Sequence, residues 1–190
     1  WKFCDVKGIK KENFKITKKI FDSKFFLNSK LNFAENLLSK TNDDKAVTFI
    51  SENGYKTIKS WNDLYVTISK IIKFLNKIKI KKNDRIAAYL PNLIETVECF
   101  LASSAIGAIW SSCSPDFGEK GVIERFSQIN PKILFISDRY YYNGIEINLL
   151  ERLPEILKKI KSIKHVVVIN YPGKNYLRIK NKKNNKILKW

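Results

Sequence analysis

The sequence has little of several residue types, and each shortage excludes a class of protein or site. Its 190 residues include no Met, only 7 Gly, 3 Cys and 1 His. A complete translation product starts with Met, so a chain that opens with Trp1 is expected to be an internal piece of a longer protein. No apolar run approaches the roughly 18 to 20 residues that a membrane span needs. No membrane span is therefore expected.

The usual sequence signatures of catalysis are also missing. With 7 Gly in the chain, neither a Gly-x-x-x-x-Gly-Lys-Ser/Thr loop nor a Gly-x-Gly-x-x-Gly motif occurs. The single His165 lies in the apolar run of residues 165–169, which favours a strand position over general-base work. Because the only His is assigned to a strand, no Ser–His–Asp set can be assembled. The sequence therefore shows no catalytic residue set.

The three cysteines, Cys4, Cys99 and Cys113, are widely spaced. A disulfide framework or a structural zinc site needs paired ligands at short spacing, so neither is expected, and no metal ligand is identified. Cys99 falls on the apolar face of a predicted helix, where a buried reduced thiol is the simplest interpretation. A reducing cytoplasmic location fits this pattern best.

The charge balance is strongly basic, with 36 Lys and Arg against 18 Asp and Glu, a net charge of +18. Such a charge is typical of nucleic-acid or anionic-membrane binding. However, 31 of the basic residues are Lys, and Lys, Ile and Asn together make up 75 residues. These residues share A/T-rich codons, whereas proteins that read bases tend to use Arg. Codon bias is favoured, and no nucleic-acid partner is expected.

Residues 1–45 are predicted to form an extended lead-in with short helical pieces. A strand from Ala46 to Ser51, a tight turn at Asn53-Gly54 and a returning strand from Tyr55 to Lys59 predict a β-hairpin. Ser60 and Asp63 then predict a helix N-terminus, and apolar residues at three- and four-residue steps extend that helix over residues 61–77.

From residue 85 onward, strand and helix patterns alternate. The predicted strands are residues 85–90, 108–110, 132–137 and 164–170. Of the helices between them, the first begins at Asn92, the next carries Val122 to Ile129, and the last runs from near Asn148 to Ile160. Asn92 with Glu95 predicts a capped start for the first of these helices, and Gly107 its end. This alternation predicts an α/β fold with a parallel sheet and helices on both faces. Residues 171–190 are interpreted as the start of a connection.

Ligands of open parallel sheets gather at the carboxyl ends of the strands. The candidate loops there are residues 91–92, 111–118, 138–144 and 170–173. The loop 111–118 is rich in hydroxyl side chains and precedes a helix, so it is a candidate lining for a phosphate or acyl pocket. The alternative is that Ser114 and Asp116 only cap the next helix.

Several motifs of this chain resemble one family. They are Leu-Asn-Phe-Ala-Glu-Asn-Leu-Leu at residues 31–38, Asp-Arg-Ile-Ala-Ala-Tyr-Leu-Pro-Asn at 84–92, Trp-Ser-Ser-Cys-Ser-Pro-Asp-Phe-Gly at 110–118, Arg-Phe-Ser-Gln-Ile-Asn-Pro-Lys at 125–132 and Tyr-Asn-Gly at 142–144. In this order they resemble the acetoacetyl-CoA synthetases, which belong to the adenylate-forming superfamily. The motif at 110–118 is the most specific of the five.

The resemblance implies a reaction in two halves. Acetoacetate attacks ATP to give acetoacetyl-AMP and pyrophosphate, and the CoA thiol then displaces AMP. ATP, CoA and acetoacetate are the implied substrates, with Mg²⁺ offsetting phosphate charge. The family's Gly/Ser/Thr-rich loop, catalytic Lys and C-terminal lid would lie beyond Trp190. Residues 46–190 are thus expected to be an incomplete N-terminal portion of the AMP-binding domain, inactive alone.

The resemblance also implies binding residues. In related synthetases the loop aligned with residues 138–145 lies where the CoA nucleotide docks, and here the three consecutive tyrosines Tyr140, Tyr141 and Tyr142 could stack on adenine. The candidate substrate- or CoA-binding residues are Tyr142, Asn143, Gly144, Trp110 and Ser114. The family has a basic residue after Tyr-Asn-Gly, where this chain has Ile145. A simple turn therefore stays open as the alternative for this loop.

Two other functions stay open on the sequence alone. One is a synthetase for another short acyl group, because residues beyond Trp190 would largely set the acyl pocket. The other is a non-catalytic remnant or basic binding module that uses the positive surface.

Overall fold

The N-terminal segment is extended and contains only short elements. The structure is a computed structural model that describes residues 1–175 and 186–190. Strands β1 (Phe14–Lys15) and β2 (Lys24–Phe25) pair antiparallel, and helix α1 (Phe33–Leu37) follows. The side chain of Asn32 caps α1 and donates a 3.0 Å hydrogen bond to the Ala105 carbonyl. This bond joins the lead-in to the body of the protein, and the predicted extended form is confirmed.

A β-hairpin and a long helix come next, as predicted. Strands β3 (Lys45–Ile50) and β4 (Lys56–Ser60) pair antiparallel around Gly54, whose φ of +78° suits a residue without a Cβ. Helix α2 (Trp61–Lys77) has Ser60 as its N-cap residue, and the Ser60 hydroxyl accepts a 3.1 Å hydrogen bond from the Asp63 N–H. The Asp63 carboxylate in turn accepts from the Ser60 N–H at 3.0 Å. The expected capping box is therefore confirmed.

The remaining elements, in chain order, are β5 (Arg85–Tyr89), α3 (Ile94–Ala105), β6 (Ile109–Cys113), α4 (Glu119–Ile129), β7 (Ile133–Ser137), β8 (Arg139–Tyr142), β9 (Ile145–Asn148), α5 (Leu153–Lys159), β10 (His165–Ile169) and β11 (Lys186–Lys189). Five of these strands form a parallel sheet in the order β11-β10-β7-β5-β6, while β8 and β9 pair with each other as a separate two-stranded sheet.

The two faces of the sheet carry separate cores. Alternate strand residues point to opposite faces, so Ile86 packs with α2 and α3 while Ala87 packs with α4 and α5. The strands are apolar on both faces because both faces are covered. This arrangement confirms the predicted α/β fold with helices on both faces. The strand position of His165 and the buried position of Cys99 are also confirmed.

Two predicted boundaries on this sheet are wrong. Asn92 does not cap α3: the helix starts after Leu93 without a side-chain cap, and the Thr96 hydroxyl instead donates a 2.7 Å hydrogen bond to the Pro91 carbonyl. Strand β6 runs through Cys113, where residues 111–113 were predicted to be loop. Register with β5 pairs Tyr89 with Cys113, and this pairing extends the strand into a polar sequence. The loop that remains is residues 114–118.

Two further segments also differ from their prediction. The predicted loop 138–144 contains strand β8, which pairs antiparallel with β9 around the turn residues Asn143 and Gly144. Both turn residues have positive φ, +50° and +74°, as a tight two-residue hairpin turn requires. In the predicted connection 171–190, Lys186–Lys189 is strand β11, parallel to β10, and residues 176–185 lie outside the described residues. Among the described helices, none has the length and apolar character to cross a membrane.

Candidate functional site

The carboxyl ends of β5, β6, β7 and β10 lie at one edge of the sheet, because these strands are parallel and adjacent. The loops that follow them carry most of the candidate polar groups. They are residues 90–93, residues 114–118, the β8–β9 hairpin, and residues 170–173. The expected convergence of four connections on one edge is therefore observed.

Asp138 connects three of the segments at this edge. It is fully buried at the end of β7, and its Oδ2 pairs with Arg139 Nη2 at 3.1 Å. Its Oδ1 accepts a 2.8 Å hydrogen bond from the Tyr171 N–H, and its carbonyl accepts one of 3.0 Å from the Leu149 N–H. The carboxylate thus fixes the base of the hairpin against the loop after β10. An acidic residue directly after a fully buried strand was the sequence signal for this role.

Arg139 is a fully compensated charge. Its guanidinium contacts Asp138 and also Glu146, whose Oε1 lies 3.0 Å from Nη1. Burial acts to lower the pKa of Arg139, but the hydrogen bond and the charge of Asp138, with Glu146, outweigh it and raise the pKa. The side chain is therefore permanently charged, and its contacts stabilise the hairpin.

Tyr89 connects β5 to the loop after β6. Its ring is fully buried, and its hydroxyl lies 2.8 Å from the Phe117 carbonyl and 3.1 Å from the Pro115 carbonyl. Arg152 donates to the same hydroxyl oxygen and, at 3.0 Å, to the Pro115 carbonyl. Burial raises the pKa of Tyr89 although Arg152 opposes the rise, so the phenol stays protonated and can donate.

The loop 114–118 closes on itself. The Ser114 hydroxyl donates a 2.7 Å hydrogen bond to Asp116 Oδ2, while helix α4 has Gly118 as its N-cap residue and no side-chain cap. The alternative that Ser114 and Asp116 cap this helix is therefore wrong. The Arg125 guanidinium lies 4.1 Å above the Phe117 ring, which fixes the far side of the loop. Ser114 and Asp116 are both exposed at the sheet edge.

The tip of the β8–β9 hairpin presents an apolar pair to solvent. Tyr142 and Ile145 are direct cross-strand partners, 60% and 64% exposed. Asn143 and Gly144 form the turn between them, and the Gly144 N–H donates a 3.0 Å hydrogen bond to Glu52 in the β3–β4 turn. The two hairpin tips therefore touch. The exposed Tyr142 ring is free to receive a planar ligand group.

The side chains of the other two tyrosines in this run make contacts within the protein. Tyr140 is buried in the core under α4 and α5. The Tyr141 ring centroid lies 5.1 Å from that of Tyr171, and its hydroxyl donates to Glu146. Of the three tyrosines, Tyr142 alone exposes most of its ring.

The structure does not bring all five candidate residues together. Tyr142, Asn143 and Gly144 are contiguous at the hairpin tip, and Ser114 lies in the loop after β6. The Trp110 ring packs instead within the α2 and α3 core, 6.1 Å from the Phe100 ring and 6.2 Å from the Phe135 ring. Two residues that sequence reasoning missed, Tyr89 and Arg152, connect the Ser114 loop to α5.

The described residues offer no resident metal centre. Among residues 1–175 and 186–190, no group of three or more His, Cys, Asp or Glu side chains could hold a metal ion. Cys113 at the end of β6 is buried, and burial raises the pKa of its thiol against an opposing effect of Arg125. Cys99 is fully buried with its pKa raised well above the ordinary value. Both thiols are therefore poor ligands and nucleophiles.

A cavity of about 660 Å³ lies elsewhere, between α2 and the strands β10 and β11. Its lining includes Phe74, His165 and Leu188, with Lys59 and Lys70 at its border. The cavity lies on the face of the sheet that α2 covers, and its lining includes none of the candidate residues.

Known proteins resemble this chain over most of its length. The AMP-binding enzyme family matches residues 34–188. Acetoacetyl-coenzyme A synthetase of Rhizobium meliloti is 38% identical over 174 residues, which are 91% of this chain and 26% of that protein. Acetoacetyl-CoA synthetase of Gallus gallus is 40% identical over 176 residues, again 26% of its length. The chain thus spans about a quarter of the length of these relatives.

A solved structure is also similar to this chain along its whole length. Acetoacetyl-CoA synthetase from Streptomyces lividans matches with a TM-score of 0.86 and 26% identity, covering 100% of this chain and 29% of that one. Malonamoyl-CoA synthetase of Penicillium aethiopicum is 34% identical over 76% of this chain. The family match covers the hairpin, the parallel sheet and the loops at its carboxyl edge, and the chain belongs to the AMP-binding enzyme family.

Proposed function

We propose that this chain is the N-terminal part of an acetoacetate–CoA ligase. The enzyme activates acetoacetate with ATP through acetoacetyl-AMP, transfers the acyl group to CoA, and releases AMP and pyrophosphate. The observation that carries this proposal is the 38% to 40% identity to two acetoacetyl-CoA synthetases over about nine tenths of the chain. The specific motif at residues 110–118 agrees with it.

The described part contributes substrate positioning and no bond-making group. Cys99 and Cys113 are buried, and the exposed Cys4 lies in the N-terminal lead-in. His165 begins a strand of the central sheet, and no metal cluster is available among the described residues. We therefore assign the adenylation chemistry to residues outside this sequence and expect the 190-residue chain to be inactive alone. Mg²⁺ enters the proposal with ATP, and no described residue is assigned to it.

The tip of the β8–β9 hairpin is the proposed CoA contact. Tyr142 exposes an aromatic face that can stack on the adenine ring, and Ile145 beside it extends the apolar surface. Asn143 and Gly144 bring backbone and amide groups to the same tip. Ser114, in the loop after β6, is proposed as a second polar contact to CoA. Trp110 packs on the face of the sheet that α2 and α3 cover, so it is proposed to support the sheet and not to contact CoA. A cytoplasmic location is proposed because the cysteines are free thiols, which suits a reducing compartment.

A different acyl substrate is the second candidate. The similarity to malonamoyl-CoA synthetase favours it, because that relative shares 34% identity across the same region. A non-catalytic remnant or basic binding module is the third candidate, and the net charge of +18 favours the binding module.

Activity of the whole-frame protein separates these candidates. By whole-frame protein we mean the product of the complete reading frame that contains this sequence. With ATP, Mg²⁺ and CoA, it is expected to release pyrophosphate fastest with acetoacetate. A faster rate with acetate or malonamate would favour the second candidate, and no rate with any acid would favour the third. Clear ATP–pyrophosphate exchange by the isolated 190-residue chain would overturn its expected inactivity.

A further inference from the structure

Two arginines flank the β8–β9 hairpin, and their charges are balanced differently. Arg139 at its start contacts two carboxylates, Asp138 at 3.1 Å and Glu146 at 3.0 Å. Arg152, four residues after its end, contacts a phenol oxygen and a backbone carbonyl instead. Within the part of the chain that the structure describes, no carboxylate lies within 4.0 Å of the Arg152 guanidinium. Its positive charge therefore has no carboxylate in direct contact among these residues.

The geometry holds this charge in one place. Arg152 Nη1 donates two hydrogen bonds, one to the Tyr89 hydroxyl and one to the Pro115 carbonyl, and the guanidinium also hydrogen-bonds the Tyr140 phenol. Tyr89 is fully buried, and Pro115 is buried in the loop after β6. These contacts hold the guanidinium in one place. Because a guanidinium has five N–H donors, it can make these contacts and still donate to an oxyanion.

The neighbourhood adds further polar groups at the same edge. Burial and the charge of Asp116 raise the pKa of the nearby Tyr140 phenol, while Arg152 acts to lower it. Asp116 Oδ2 also accepts a hydrogen bond from the Ser114 hydroxyl in the same loop. The Arg152 side chain is half-buried, so solvent and ligands can reach it while its charge is only partly screened. The hairpin tip itself carries Ile145 and lacks a basic side chain there.

We propose that Arg152 is the oxyanion-binding residue of this edge and that it accepts a phosphate group of a nucleotide substrate. The proposal rests on the proposed function for the identity of the nucleotide, which is CoA or ATP. Tyr89 acts as the positioning residue, because its hydroxyl accepts from Arg152 Nη1 and so fixes the guanidinium.

Kinetics of the whole-frame protein show whether the phosphate that Arg152 binds belongs to CoA or to ATP. Arg152→Gln is expected to raise the KM of one nucleotide at least about tenfold, with kcat and the other KM within about twofold. A rise confined to CoA identifies CoA, and a rise confined to ATP identifies ATP. Arg152→Lys should recover part of the loss, because it restores the charge without the fork. Lys158→Gln, which removes a positive charge from an exposed pair on α5, is the matched control and should change neither KM.

A binding measurement keeps this site separate from the ligase assignment. Calorimetric titration of the whole-frame protein with adenosine 3′,5′-bisphosphate and with ATP should show weaker binding of one probe by Arg152→Gln than by wild type and Lys158→Gln. If wild type binds a probe through Arg152 but forms no thioester, the oxyanion site stands and the ligase assignment fails. If Arg152→Gln has the thermal midpoint of wild type and binds both probes as wild type does, the oxyanion site is overturned, whatever the activity.

Tyr89→Phe tests the positioning role without removing the charge. The ring stays in its buried place, but the hydrogen bond to Arg152 is lost. The same KM should rise less than with Arg152→Gln, and the double variant should resemble Arg152→Gln alone. Independent effects of the two substitutions that simply add would contradict the positioning role.

Discussion

Lys59 Nζ lies 2.6 Å from Glu98 Oε1, and the Glu98 side chain is completely buried. The pair joins strand β4 of the first hairpin to helix α3. Burial raises the pKa of Glu98 above its ordinary value of 4.5, although the hydrogen bond and charge of Lys59 act to lower it. Burial therefore outweighs the ion pair, and the folded protein binds this proton more tightly than the unfolded chain.

This shift predicts a pH dependence of stability. Because the pKa of Glu98 is raised in the folded state, its contribution to the free energy of unfolding is fully present below the ordinary pKa of 4.5. That contribution is lost as pH rises through the raised pKa. Glu98→Gln should remove that component, so its thermal midpoint should fall less than the wild-type midpoint as pH rises from 4.5. Glu124→Gln on the exposed side of α4 should follow wild type. Parallel pH profiles for wild type and Glu98→Gln would contradict the burial effect.

The buried Asp138 is predicted to be one of the most sensitive positions of the fold. Asp138→Asn keeps an acceptor for the Tyr171 N–H but removes the charge that faces Arg139. Breaking a buried pair costs about 3 to 5 kcal/mol, and the low end is expected because Arg139 keeps Glu146. Glu155→Gln breaks the exposed pair with Lys158 and should have little effect. Equal unfolding free energies in urea for the two variants would contradict the structural role of Asp138.

The capping box at the start of α2 gives a third prediction. Ser60→Ala removes the side-chain acceptor for the Asp63 N–H and should cost about 1 kcal/mol of unfolding free energy. Ser127→Ala, on the exposed face of α4, should change stability by less than about 0.5 kcal/mol. Denaturant midpoints measure both. A Ser60→Ala variant as stable as Ser127→Ala would show that the box contributes nothing.

The proposed CoA contact of Tyr142 gives a fourth prediction. Stacking of an aromatic side chain on a base contributes about 1 to 3 kcal/mol, so Tyr142→Ala in the whole-frame protein should raise the KM for CoA at least about fivefold. The KM for ATP should change little. Tyr65→Ala removes an exposed tyrosine from α2 and serves as the control. Unchanged CoA kinetics in Tyr142→Ala would remove the hairpin tip from the proposed site.

Periodicity predicted the regular parts of the fold because the forces there are local. Helix α2 follows from its apolar spacing and its Ser60 cap, and the central strands follow from apolar runs bounded by polar turns. Asn92 failed as a predicted cap because Thr96 and Pro91 satisfy the start of α3 differently. The polar residues 111–113 became strand because pairing with β5 outweighs their weak intrinsic preference.

The site was less predictable because tertiary contacts define it. The Asn-Gly pair at residues 143–144 is a strong hairpin signal, yet the flanking strands are short and one of them is a run of tyrosines. Strand β11 follows a Lys- and Asn-rich sequence without a clear strand pattern. The contact of Arg152 with Tyr89 spans 63 positions, and nothing in local spacing signals it. The family resemblance, and not periodicity, led to the hairpin tip as the proposed CoA contact.

Thioester formation by the whole-frame protein tests the central claim most directly. The protein is incubated with ATP, Mg²⁺ and CoA in the presence of acetoacetate, acetate or malonamate, and the acyl-CoA product is measured by mass spectrometry. We expect acetoacetyl-CoA to form with the highest kcat/KM, together with one AMP and one pyrophosphate for each thioester. A higher kcat/KM for another acid, or no thioester from any of them, would contradict the assignment as an acetoacetate–CoA ligase.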